Sequence, residues 1–130
     1  MKFFFDNSLP PRLSKGLHVF VQPEHEIVHL KERFATNAED QAWMKELAGE
    51  EGWVIVTAYP EFGKNSHERQ AWKEAGHPVI FLKPGWADLP YSDQAARFTK
   101  FLPAIVEAMT RARIDQAFFL TPKGKIESAD

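Results

Sequence analysis

The chain begins with KFFFDNSLPP over residues 2–11, a stretch that contains both a strand and the start of a helix. The three phenylalanines form a short apolar strand, and Pro10 and Pro11 suit the first turn of a helix capped by Ser8. Asp6 therefore falls at the carboxyl end of a strand. In open α/β sheets, ligands bind in the crevice outside these ends, so we expect Asp6 to lie at a functional site.

Further apolar runs follow, separated by stretches with helical spacing. They cover residues 26–30, 53–57 and 78–82. Runs that are apolar on both faces are typical of strands in a parallel sheet. Strands alternating with helices predict a three-layer α/β/α domain with a mainly parallel sheet and right-handed crossovers. A last run at 117–120 predicts an edge strand, followed by a polar tail that frays.

Four stretches carry apolar residues at helical spacing. They cover approximately residues 11–20, 37–48, 65–76 and 92–111. In the second helix, Trp43, Met44 and Leu47 form the buried side. The third begins with a capping box at residues 65–68 and stops at Gly76.

The composition is that of a folded protein of 130 residues, 44% hydrophobic and 26% charged. This length predicts a single domain over residues 1–130. The net charge is −2, so a polyanion would have to bind a local basic patch. The chain has no cysteine, which excludes disulfides and thiolate metal sites. Without a membrane-length apolar stretch or a signal-peptide pattern, we expect a soluble, cytoplasmic protein.

Several polar side chains are predicted at the edge that Asp6 occupies. Tyr59 and Glu61 follow the third strand, Lys83 follows the fourth, and Asp40 lies in the first turn of a helix. Carboxylates that converge without cysteine or clustered histidine favour Mg²⁺ or Mn²⁺. A structural interpretation stays open for both acids: Asp6 could cap the first turn, and Asp40 could belong to a capping box.

Five segments together resemble a known family: FFDNSLPPRL (4–13), DQAW (40–43), GWVIVT (52–57), NSHER (65–69) and LKPGW (82–86). The chain resembles, over about residues 2–110, the PIN-like ribonuclease toxins of bacterial type II toxin–antitoxin pairs, in the VapC-type branch. The resemblance implies metal-dependent cleavage of RNA and inhibition by a cognate antitoxin. It places metal ligands at Asp6 and Asp40 and a polar position beside the first acid at Asn7.

The chain departs from the family at position 59. The family has an aspartate after the third strand, whereas this chain reads Thr57-Ala58-Tyr59. A phenol has an ordinary pKa of about 10, so it is neutral at pH 7 and a poor ligand for a hard cation. We therefore predict impaired catalysis. Because Asp and Tyr codons differ by one base, Tyr59 is hypothesised to be an acquired loss-of-function change; Glu61 is an alternative third carboxylate.

The predicted RNA contacts are basic or polar residues near this edge: Asn7, Lys64, Arg69 and Lys83. A helix start attracts phosphate, which favours Lys64 and Arg69. For Lys83, a salt bridge to Asp6 or Glu61 is an equal alternative. His67 is expected to be structural. Trp86 could stack on a base, contact a partner or pack in the core, and charges such as Arg12 and Lys15 are expected to be solvated.

Two other functions remain open from sequence. A receiver-type signalling domain would explain Lys83-Pro84 after an apolar strand, although Asn7 and Tyr59 stand where receivers need acids. A noncatalytic PIN-like module would retain only the surface that binds an antitoxin. The sequence allows a homodimer and determines neither the RNA target nor the number of metal ions.

Overall fold

A computed structural model describes residues 1–34, 40–58 and 74–129, covering the backbone but not the side chains at positions 40 and 41. The strands are β1 (Lys2–Phe5), β2 (Glu26–His29), β3 (Trp53–Ala58), β4 (Val79–Leu82), β5 (Ala117–Leu120) and β6 (Ile126–Ser128). The α-helices are α1 (Pro11–Val21), α2 (Asp40–Ala48) and α3 (Tyr91–Arg111), with 3-10 turns at Leu30–Glu32 and Pro84–Trp86.

The six strands form one sheet in the order β2-β1-β3-β4-β5-β6. All neighbouring pairs are parallel except β5 and β6. The predicted α/β class and mainly parallel sheet are therefore confirmed. Because the parallel strands share one direction, their carboxyl ends lie together at one edge of the sheet, which we call the carboxyl edge.

One face of the sheet packs against α1 and α3. Phe3 and Phe5 of β1 point to this face, and both contact the ring of Phe98 in α3, with ring centroids 5.9 and 5.6 Å apart. Leu13 and Leu17, one turn apart in α1, complete this core. Alternate residues of a strand point to one face of the sheet, and residues one turn apart lie on one side of a helix. These two repeats bring the apolar side chains of β1, α1 and α3 into one core.

The opposite face packs against α2. Phe4 stacks on Trp43 with ring centroids 5.2 Å apart, and Met44 and Leu47 lie in the same buried cluster. The buried side predicted for the second helix is confirmed. His77, just before β4, bonds to the carbonyl of Leu47, which places the end of α2 at the amino edge and its start toward the carboxyl edge.

The two crossovers made by α1 and α3 differ in hand. Both helices pack on the same face, but α1 leads from β1 to β2 on one side and α3 leads from β4 to β5 in the opposite direction. Connections that run in opposite directions over one face must have opposite hands. The expectation that all crossovers are right-handed is therefore wrong.

The end of the chain also differs from expectation. β5 is an interior strand rather than an edge strand, because β6 pairs with it antiparallel. The polar tail forms this strand instead of fraying. Gly124 has a φ of +95°, which suits the tight turn between the two strands, and the amide of Thr121 donates to the carbonyl of Lys125 at 3.0 Å. Ile126 then covers part of the α1–α3 core.

Candidate active site

The carboxyl ends of β1 and β3 flank a topological switch point. From β1 the chain passes to β2 on one side and then returns to β3 on the other side of β1. Such a reversal opens a crevice where ligands bind in sheets of this kind. Phe5 is in register with Val56, so the residues that follow, Asp6 and Thr57, are neighbours across this crevice.

Asp6 is buried, with 1% of its surface exposed, and its carboxylate accepts hydrogen bonds from the described residues Ser8 and Thr57. The Ser8 amide donates to Oδ1 at 3.0 Å, and the Ser8 hydroxyl also donates to Oδ1. The Thr57 hydroxyl donates to Oδ2 at 2.7 Å. Both carboxylate oxygens are therefore engaged at the switch point, and the two hydroxyls can rotate away from a competing ligand.

Ser8 has a different task from the one predicted. The residue that caps α1 is Pro10, with no side-chain cap hydrogen bond, so the prediction that Ser8 caps this helix is wrong. Its hydroxyl accepts from the Ala58 amide at 2.9 Å and lies 3.1 Å from the Thr57 hydroxyl. Ser8 thus ties the loop after β1 to the end of β3 and orients Asp6.

His29 is a residue of this site that the sequence interpretation missed. It ends β2 beside Phe5 and is fully buried. Its Nε2 lies 2.7 Å from the Leu9 carbonyl, and its Nδ1 accepts from the Lys31 amide at 3.0 Å, which defines a neutral ring that donates through Nε2. Burial lowers the pKa of His29, although hydrogen bonds to backbone carbonyls oppose this effect. A histidine that ends an apolar strand was the available signal.

Asp40 begins α2, and α2 starts toward the carboxyl edge. Trp43, in the first turn of this helix, stacks on Phe4, two residues before Asp6. Lys2, Phe4 and Asp6 alternate onto the α2 face of the sheet. The backbone at Asp40 is therefore on the same face and toward the same edge as Asp6. Its carboxylate lies outside the described side chains, so its role as a ligand stays a prediction.

Lys83 follows β4 at the carboxyl edge, as expected. Its Nζ lies 3.8 Å from Glu127 in β6 and 5.1 Å from the centroid of the Phe119 ring. Glu127 was not among the partners considered from sequence, because β6 was not predicted. Asn7 is exposed at the tip of the loop after β1. The RNA contacts predicted for Asn7 and Lys83 stay predictions.

The remaining predicted site residues lie outside the described part of the chain. These are Tyr59, Glu61, Lys64, His67 and Arg69. The predictions for them stand as sequence predictions.

Trp86 packs in the core. It is buried, and its Nε1 donates to the Leu120 carbonyl at 3.0 Å. Of the three interpretations left open by sequence, packing in the core describes this ring.

Two adjoining clefts open at the carboxyl edge. A cleft of about 190 Å³ lies between Ser8, the end of β4 and the start of α3. A cleft of about 510 Å³ lies beside it and is lined by residues of α1, among them Arg12 and Lys15. Pro10 and Tyr91 line both clefts, so the two adjoin, and we call them together the edge groove.

The described side chains alone do not complete a cation site. Within residues 1–34, 40–58 and 74–129, no group of three or more histidine, aspartate or glutamate side chains is placed to hold a metal ion. Asp6 supplies one carboxylate, and both of its oxygens already accept hydrogen bonds. A divalent cation at this edge would therefore depend on Asp40 and on the residues that follow β3.

A comparison with protein-family models identifies the family. A model described as a PIN like domain matches residues 1–84, which include β1 to β4 and all of the predicted acidic positions. The chain belongs to the PIN-like domain family. No curated protein and no solved structure matches the chain. PIN-like domains are commonly nucleases, so the family places this chain in a nuclease-type superfamily.

The match to a PIN-like domain also bears on the receiver alternative. The order β2-β1-β3-β4-β5 is shared by doubly wound receiver folds, so topology does not separate the two classes. The position of Lys83-Pro84 does separate them, because this pair follows β4 and two further strands come after it, whereas the receiver motif follows the terminal strand.

None of the described helices is long and apolar enough to cross a membrane. The cytoplasmic location stays a prediction.

Proposed function

We propose that this PIN-like domain is a metal-dependent endoribonuclease of the toxin–antitoxin class and that Tyr59 impairs its present form. The observation that carries the proposal is the family match over residues 1–84, which contains Asp6, Asp40 and Tyr59. The place of Asp6 at the switch point supports it, because this is where ligands bind in doubly wound sheets.

Each residue has a stated task in this proposal. Asp6 and Asp40 hold Mg²⁺ or Mn²⁺, and the cation, when bound, supplies an activated water and offsets charge on the phosphate. Ser8 and Thr57 orient the Asp6 carboxylate through their hydroxyls. Asn7, Lys64, Arg69 and Lys83 contact the RNA backbone.

Tyr59 stands where the family supplies a third carboxylate. Two carboxylates bring one negative charge less to a divalent cation than three, and a neutral phenol does not replace the missing charge. We therefore expect weak cation binding in the natural sequence and recovery with Tyr59→Asp. The partner is an antitoxin with a segment that covers the Asp6 pocket, and a homodimer is compatible with this arrangement.

The decisive experiment compares four proteins: the natural sequence, Tyr59→Asp, and Tyr59→Asp combined with either Asp6→Asn or Glu50→Gln. Cleavage of a single-stranded RNA is measured with Mn²⁺ and with a chelator. We expect Mn²⁺-dependent cleavage by Tyr59→Asp, its loss with Asp6→Asn, and its retention with Glu50→Gln, because Glu50 lies away from the carboxyl edge and pairs with Arg33.

Binding of Mn²⁺ is measured on the same proteins by calorimetry. This second readout separates failure of the cation site from failure of RNA recognition. If Tyr59→Asp binds no Mn²⁺ and cleaves no RNA, the nuclease proposal is wrong.

A noncatalytic PIN-like module is the second candidate, and one observation favours it. Asp6 is fully engaged by Ser8 and Thr57, as expected of a carboxylate that only stabilises the loop after β1. This candidate predicts that Tyr59→Asp stays inactive while an antitoxin encoded by a neighbouring gene still co-purifies with the natural sequence and with Asp6→Asn.

A further inference from the structure

The edge groove has a chemical character that the composition does not suggest. The whole chain has a net charge of −2, yet within residues 1–34, 40–58 and 74–129 no aspartate or glutamate lines either cleft of the groove. Arg12 and Lys15 are exposed on α1, and neither forms an ion pair with a described residue. Asp88 and Asp93 are near Tyr91 in sequence but line neither cleft.

Tyr91 is the exposed aromatic residue that the two clefts of the groove share. It begins α3, leaves 47% of its surface exposed and lines both clefts. The Arg12 guanidinium carbon lies 5.8 Å from the centroid of its ring. An exposed aromatic ring beside a guanidinium is the pair of groups on which single-stranded nucleic acids stack their bases.

The groove ends at the candidate active site. Ser8 lines the cleft of about 190 Å³, and the Ser8 hydroxyl donates to the Asp6 carboxylate. A chain that occupies the groove would therefore extend from α1 over Tyr91 to the switch point. Lys83 also lines the 190 Å³ cleft, and its amine lies 3.8 Å from Glu127. Arg12 and Lys15 are the cations of the groove that form no ion pair with a described residue.

We propose that the edge groove binds single-stranded RNA, with one base stacked on Tyr91 and the adjoining phosphates held by Arg12 and Lys15. The proposal rests on the proposed function and gives it a substrate path. The occupant is single-stranded because a base must leave its duplex to stack on a protein ring. An acidic segment of a partner protein would suit the two cations, but the continuity with Ser8 and Asp6 favours the molecule on which the site acts.

The experiment measures binding of a fluorescent single-stranded RNA of about 12 nucleotides by anisotropy, in a chelator so that no cleavage occurs. Tyr91→Ala is expected to weaken binding at least about fivefold, whereas Tyr91→Phe, which keeps the ring, stays within about twofold of the natural sequence. Because Tyr91 is half exposed, both variants are expected to keep the fold, which circular dichroism and thermal unfolding check.

The charge contribution is measured through salt dependence. Arg12→Gln and Lys15→Gln are each expected to reduce the slope of log K against log salt by about 0.7, the value for one phosphate contact to a single strand. Arg113→Gln is the matched control, since it removes the same charge from an exposed residue that follows α3 at the amino edge, and it should leave the slope unchanged. Crosslinking to 4-thiouridine RNA should label a peptide that contains Tyr91.

The possible failures are distinguishable. If the natural sequence binds RNA and Tyr91→Ala binds it equally well, the groove proposal is overturned and the proposed function stands. If Tyr91→Ala loses the antitoxin but not RNA, the groove is a protein interface instead. If neither the natural sequence nor Tyr59→Asp binds any RNA, both proposals fall together.

Discussion

The two edges of the sheet hold a carboxylate in different ways. At the amino edge, Glu50 accepts two hydrogen bonds from Arg33, at 3.0 and 2.6 Å, and one from the Trp53 ring at 3.1 Å. At the carboxyl edge, Asp6 accepts from Ser8 and Thr57, which are neutral. A guanidinium that donates to both carboxylate oxygens restricts the orientation of the carboxylate. A hydroxyl can instead rotate toward an incoming ligand. The two carboxylates are therefore held by different kinds of donor: a guanidinium and an indole ring for Glu50, and hydroxyls and a backbone amide for Asp6.

The clefts at the two edges differ in the same sense. The amino-edge cleft, of about 560 Å³, is lined by Glu50 and Glu51 together with apolar residues such as Ile114. Among the residues that the structure describes, the edge groove is lined by Arg12 and Lys15 and by no carboxylate. These two cations give their part of the groove a positive local field.

The largest expected effect comes from removing each acid. Asp6→Ala removes the acceptor of the buried Thr57 hydroxyl, so we expect a loss of about 2 kcal/mol in the free energy of unfolding. Glu50→Ala removes a partly exposed ion pair and is expected to cost about 1 kcal/mol or less. Urea unfolding of the two variants measures both values. Equal losses of unfolding free energy in the two variants would contradict the expected difference between a buried and a partly exposed carboxylate.

A similar effect is expected from backbone packing at each edge. At the carboxyl edge, a Cβ at Gly85 would lie 2.7 Å from the Pro122 ring, so Gly85→Ala should destabilise by about 2 kcal/mol. At the amino edge, a Cβ at Gly49 would meet its nearest neighbour at 3.5 Å, an ordinary contact. Gly49→Ala should therefore change stability by about 0.5 kcal/mol or less. Thermal unfolding compares the two variants, and a larger loss of stability in Gly49→Ala than in Gly85→Ala would contradict the observed packing around these glycines.

The smallest effect is on the pH dependence of stability, to which His29 at the carboxyl edge and Glu50 at the amino edge should contribute separately. Burial lowers the pKa of His29, so the unfolded chain binds the proton more readily; its contribution is complete above about pH 6.5 and declines as the pH falls below that value. Hydrogen bonds from Arg33 and Trp53 lower the pKa of Glu50 to about 2 from 4.5, so its contribution is lost between these pH values.

Stability measured against pH in His29→Gln and Glu50→Gln tests this separation. His29→Gln should remove proton uptake of less than one proton per molecule in the range below pH 6.5, and Glu50→Gln should flatten only the range below 4.5. His25 also has a lowered pKa, caused mainly by burial and then by the terminal ammonium, so His25→Gln is the control for the upper range. If Glu50→Gln also removed the pH dependence between 4.5 and 6.5, the assignment of that range to histidine would be wrong.

Much of the fold could be predicted because the apolar pattern is local. The phenylalanines of β1, the apolar run of β3 and the spacing of Trp43, Met44 and Leu47 each define an element and its buried side within a few residues. The hand of the α3 crossover and the β6 strand could not be predicted, because both depend on where distant elements pack. Ile126 is the one large apolar residue in the polar segment 121–130, too little to predict a strand. β6 forms because it pairs with the neighbouring β5.

The candidate site divides in the same way. Asp6 could be found from sequence because a carboxylate that follows an apolar strand is a local signal. Arg12 and Lys15 could not be distinguished from solvated charges, since what sets them apart is Tyr91, which lies some 80 residues away in the chain. His29 escaped notice because its partners are backbone groups, which every residue possesses.

The amino-acid sequence by itself determined the α/β class, the family resemblance and the position of Asp6 at a strand end. The tertiary structure decided which groups meet that carboxylate and that a basic, aromatic groove leads to it. The physical reason is range: strand and helix patterns arise from neighbours in the chain, whereas hydrogen bonds across the switch point join residues about 50 positions apart.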